Sequence, residues 1–91
     1  MGREVRLFKS ETRMSRADAS TFLRQLADKV ESGQVSLKQG PQEQFLEIPH
    51  HLFLEIQVED EDKKSRGTQH SLEVELKWFD DMSESGPLEL G

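Results

Sequence analysis

Three histidines, one acidic run and a scatter of hydroxyls are the side chains of this 91-residue chain that could ligate a metal or move a proton, and there is no cysteine. His50 and His51 are adjacent, so in extended structure their rings point to opposite faces and cannot chelate one ion together. His70 stands alone near the start of the last apolar stretch and reads, like the other two, as a turn histidine. The run Glu59, Asp60, Glu61, Asp62 lacks the alternating ligands, the central glycine and the distal glutamate of a calcium loop. Lys63, Lys64 and Arg66 follow at once, which makes a solvated, charge-balanced hairpin loop the simpler reading. No Gly-x-Ser-x-Gly elbow places a nucleophile, and no glycine-rich loop opens a helix to cradle phosphate. The expectation is a protein that is not an enzyme and has no metal site and no cofactor.

Charge offers a second kind of chemistry. The net charge of -6 is unevenly spread: residues 1 to 40 carry eight lysines and arginines against five carboxylates, and residues 41 to 91 carry four against thirteen. Arg3, Arg6, Lys9, Arg13, Arg16 and Arg24, with Lys29 beyond, make a basic strip that could receive an anionic partner. Glu4, Glu11 and Asp28 interrupt it, and the overall negative field works against nucleic acid, whose affinity comes mainly from neutralised phosphates.

These side chains must be held by a small scaffold. Ninety-one residues, 33% apolar and 33% charged, suffice for one domain with a thin core. Absence of cysteine is compatible with a reducing, cytoplasmic setting, and no apolar run approaches the length of a membrane span. Residues 4 to 14, "EVRLFKSETRM", mix Val5, Leu7 and Phe8 with charges and predict a first strand, with Val5 and Leu7 on one side and Arg6 and Phe8 on the other. Ser15 is a good N-cap, and Ala19, Phe22, Leu23, Leu26, Ala27 and Val30 then recur at helical spacing until Gly33 stops the helix. From there the period becomes two. Val35 and Leu37 mark a second strand, Gly40-Pro41 a turn, Leu46 and Ile48 a third strand ended by Pro49. Leu52, Leu54, Ile56 and Val58 form the fourth, and Leu72, Val74, Leu76 and Trp78 the fifth, after a charged loop.

One helix can cover only one face of a sheet. The inventory therefore predicts an α+β, two-layer sandwich of one helix on a mainly antiparallel five-stranded sheet, in the order β-α-β-β-β-β. The domain is expected over residues 3–79, with residues 80–91, rich in acidic residues, Ser, Gly and Pro, as a disordered acidic tail. A helix of about 18 residues spans roughly 27 Å, and a strand of eight about 26 Å, so the two layers match in length. Trp78, in phase with Leu72, Val74 and Leu76, is expected to plug the end of the core.

The stretches "LFKSE" at 7 to 11, "SRADASTFLRQLADKVESGQVSL" at 15 to 37 and "LEVELKW" at 72 to 78 resemble, in that order and spacing, the amphi-Trp domain family. The family consists of small prokaryotic domains without an assigned activity. The resemblance covers roughly residues 4 to 79, implies a prokaryotic, cytoplasmic protein, and brings no catalytic residue with it. The His50-His51 pair is not part of the likeness.

Four of the five phenylalanines fall out of phase with the apolar stripes. Phe8, Phe45, Phe53 and Phe79 would then project from the sheet face that the helix leaves open, among Glu47, Glu55, Glu73, Glu75 and Lys77. Aromatic groups set among carboxylates suit a wet protein interface. The function expected is a non-enzymatic protein-interaction module whose open face or edge strand binds a protein, most simply a second copy of itself. The candidate interface comprises Phe8, Phe45, Phe53, Glu55, Glu73, Glu75 and Phe79. The alternative is a domain that binds a small ligand, nucleotide or nucleic acid through the basic N-terminal flank, without a role for a membrane.

Overall fold

The computed structural model describes residues 2 to 82, which divide between Ile48 and Pro49 into two compact units. In the first unit, residues 2 to 15 are irregular and lead into helix α1, Arg16–Ser32. Strands β1, Gln34–Gln39, and β2, Gln42–Glu47, follow as an antiparallel hairpin. The second unit holds β3, Phe53–Asp62, a 3-10 turn at Lys64–Arg66, β4, Thr68–Lys77, and a further 3-10 turn at Asp80–Met82. β3 and β4 form a second antiparallel hairpin.

The helix starts where its capping chemistry dictates. Ser15 is extended, at φ -73° and ψ 158°, and its Oγ accepts from the Asp18 N–H at 3.0 Å, so one of the orphan donors of the first turn is satisfied. Gly33 ends the helix in the left-handed region, at φ 85°, with its N–H donating to the Val30 carbonyl. The same glycine then accepts from the Ile48 N–H at 2.8 Å, one rung beyond the Gln34–Glu47 pair, so it joins helix stop and hairpin base. At the other end, Gly40 has φ 55° and Pro41 supplies the negative φ that follows, the sequence of signs of a type II′ hairpin turn. Val35, facing Leu46 across the ladder, is buried at 3% exposure and is the one buried residue among those described. α1 packs on β1, and Ala19, Leu26, Val30, Leu37 and Leu46 are half-buried.

Several sequence expectations are corrected here. The single five-stranded sheet is replaced by two sheets of two strands each, and the order of elements is α-β-β-β-β. The expected first strand is irregular because a strand exists only where its peptide groups find a ladder. The Lys9 peptide finds a side chain instead: the Gln42 amide accepts from its N–H at 3.4 Å and donates to its carbonyl at 3.2 Å. The charged loop shrinks to residues 63–67, since the ladder runs on through Asp60–His70, Glu61–Gln69 and Asp62–Thr68. There, cross-strand pairing overrides the low strand propensity of Asp and Glu. The turn closes around Lys64, at φ 55°, whose N–H donates to Asp62 Oδ1 at 2.8 Å. Residues 80 to 82 of the expected acidic tail form a 3-10 turn, and 83 to 91 lie outside the described residues.

The core is smaller than expected. Phe22 and Leu23 of the helix stripe remain exposed, and so does Ala27. Strands lie about 5 Å apart, so a two-stranded ribbon is narrower than a helix about 10 Å across and cannot enclose a stripe three residues wide. Trp78 is half-buried rather than the plug of a closed core.

Candidate functional site

The most distinctive surface is the β3–β4 hairpin. Its ladder pairs Leu54 with Leu76, Ile56 with Val74 and Val58 with Leu72, so six aliphatic side chains stand on one face in three facing pairs. Leu54, Ile56, Val58, Leu72 and Val74 are between 56% and 74% exposed. The stripe ends distally at Asp60 and His70, which face each other with Oδ1 and Nδ1 2.6 Å apart.

The opposite face of the hairpin is acidic. Glu55 faces Glu75 directly, and Lys77 lies 3.8 Å from each of them. Glu59, Glu61 and Glu73 continue the same face, where the Gln57 amide donates to the Glu59 carboxylate and Lys63 pairs with Glu61 at 3.1 Å. At its proximal end, Phe53 and Phe79 meet edge to face, with centroids 6.1 Å apart and planes at 80°, a favourable arrangement of ring quadrupoles.

Of the interface residues expected from sequence, the structure thus gathers Phe53, Glu55, Glu73, Glu75 and Phe79 on the second unit. Phe45 belongs to the first unit, exposed on β2 opposite Ser36, on the face away from Val35. Phe8 is half-buried in the irregular N-terminal segment. Sequence reasoning assigned Leu54, Ile56, Val58, Leu72 and Val74 to the core and so missed them as surface. The signal was available: one helical stripe cannot cover the apolar phases of four strands.

The basic residues Arg3, Arg6, Lys9, Arg13, Arg16 and Arg24 all lie in the first unit, exposed, and none forms an ion pair among the described residues. Arg16 and Arg24 are two turns apart on α1, while the other four belong to the irregular segment. A shallow concavity beside Glu4, Val5 and Arg6 is open to solvent. Among the described residues there is no group of three or more His, Asp or Glu side chains placed to hold a metal ion. Among the same residues, no helix is long and apolar enough to cross a membrane.

A helix packed on one hairpin, followed by a longer and exposed hairpin, defines a small α+β protein. The sequence model of the Amphi-Trp domain family matches residues 1–91, and the chain belongs to that family. No curated protein and no solved structure matches it. Membership agrees with the resemblance carried by the capped helix and the strand that leads to Trp78, and assigns no residue a role.

Proposed function

We propose that this protein is a non-enzymatic interaction module that associates with a second copy of itself through the β3–β4 hairpin. One observation carries the reading: five aliphatic side chains in cross-strand register are left more than half exposed on a two-stranded ribbon. A lone hairpin is marginal in water, because two strands bury too little surface to offset the ordering of the chain. Contiguous apolar patches on small proteins mark interaction surfaces for the same reason.

Solution mass by light scattering at micromolar concentration tests it. The parent chain is expected at twice its formula mass or more, and Ile56→Glu, which puts a carboxylate into the aliphatic face, is expected to return it to a monomer. Phe53→Glu tests the other face, on which the Phe53–Phe79 pair and its surrounding carboxylates sit; a mass lowered by this variant and not by Ile56→Glu would move the interface there. A strictly monomeric parent refutes self-association.

A second reading rests on the exposed basic groups at residues 3, 6, 9, 13, 16 and 24, which form no ion pair among the described residues. It assigns them to an anionic ligand such as a nucleotide or nucleic acid. Binding of that kind must weaken steeply with salt, and a flat salt titration, or no binding at low salt, excludes it.

A further inference from the structure

We infer that residues 3 to 8 of one copy add as an edge strand to β3 of a second copy, extending the aliphatic face on which the copies meet. The inference rests on the self-association proposed above and names the segment that completes it. Its starting point is a conflict between sequence and structure. Residues 4 to 8 have the alternation of a strand, yet they are irregular, and Val5 and Leu7 are 71% and 66% exposed. From residue 2 to residue 8 no backbone group has a hydrogen-bond partner among the described residues. The segment is anchored at its end, where Gln42 grips the Lys9 peptide. A strand-forming sequence with free peptide groups and a fixed root is suited to pairing with an exposed sheet edge.

The edge it fits is β3. This strand carries Glu55, Glu59, Asp60, Glu61 and Asp62 and no basic residue, whereas the segment brings Arg3 and Arg6 against the single carboxylate of Glu4, with Lys9 at its root. Opposite charges on neighbouring strands favour pairing, and the like charges of two β3 edges disfavour their meeting each other. The two alternations also agree. With Val5 and Leu7 placed beside Leu54, Ile56 and Val58, Arg6 and Phe8 fall on the face that holds Phe53, Glu55 and Glu59. The guanidinium then lies among carboxylates and the ring lies beside a ring.

Area argues for the same addition. The five exposed aliphatic side chains supply roughly 400 Å² per copy, or about 800 Å² for a pair, short of the roughly 1,000 Å² that a specific interface clears. Val5 and Leu7 widen each face by a third strand and carry the pair past that threshold. Three strands with an apolar face also meet the requirement for stability that two do not.

Amide hydrogen exchange on the full-length chain, measured with solution mass over a concentration series, tests the inference. Protection at residues 4 to 8 is expected to rise in step with the dimer, and Leu7→Pro, which removes a ladder donor from a segment in no element of the single chain, is expected to weaken dimerisation at least tenfold with helix content unchanged. A dimer whose residues 4 to 8 stay unprotected, or which Leu7→Pro leaves intact, overturns the strand addition while self-association stands. Protection that is already complete in the monomer overturns pairing with a second copy. A parent that is monomeric at every concentration overturns both readings.

Discussion

The two hairpins of this chain are built by the same rules and meet different fates. β1 and β2 are six residues each, yet they carry the one buried side chain among the described residues, Val35, because α1 lies against β1 and Gly33 ties helix to hairpin. β3 and β4 are ten residues each, with a ladder of ten facing pairs, and have no fully buried residue, only Ser71 and Leu76 being half-buried. Length and hydrogen bonding therefore do not make a core. A ladder exchanges peptide–water for peptide–peptide hydrogen bonds at a modest net gain, whereas removing aliphatic surface from water requires a second layer. The shorter hairpin has that layer among the described residues of its own unit, and the aliphatic face of the longer one is exposed.

The largest effect is expected from Ile56→Glu, which should weaken association at least a hundredfold, since a carboxylate buried without a partner costs several kcal/mol; light scattering reads this, and far-UV circular dichroism should show α1 intact. Val35→Ala should destabilise the first unit by about 2 to 3 kcal/mol through lost burial and a residual cavity, visible as a lower melting temperature of the helical signal. Trp78→Ala is expected to cost about 2 kcal/mol, below the range for a fully buried indole, because the side chain is only half-buried. A loss at the top of that range would mean that association covers the ring.

Smaller effects sharpen the first unit. Gly33→Ala has room for its methyl group, whose nearest neighbour would be the Ile48 carbonyl oxygen at 3.6 Å, but it forces φ 85° on an L-residue. Chemical denaturation should show a cost of about 1 to 2 kcal/mol. Lys38→Ala removes an exposed ion pair with Glu43 at 3.8 Å and should change stability by less than about 0.5 kcal/mol. An effect as large as that of Gly33→Ala would show that the outer face of β1–β2 is covered in solution.

Much of the fold was legible because its signals are local. The Ser15 cap, the Gly33 stop, the Gly40-Pro41 turn and the arrest at Pro49 each act over a few residues, and each stands where the pattern put it. The candidate interface was legible in part: alternation correctly placed Phe53, Glu55, Glu73 and Glu75 on one face, with Phe79 beside Phe53. The length of the second hairpin was not, because Asp60, Glu61 and Asp62 discourage a strand individually and are held in one by their partners on β4.

By itself, then, the sequence determined the helix and its ends, the four apolar phases and the acidic character of the second hairpin, since those follow from side-chain chemistry and chain periodicity. Only the tertiary structure decided that residues 4 to 8 form no strand, that the strands pair as two ribbons, and that Leu54, Ile56, Val58, Leu72 and Val74 are surface. Periodicity states which side chains share a face. Whether that face is covered depends on how many layers the chain supplies, a property of the whole assembly and of no single segment.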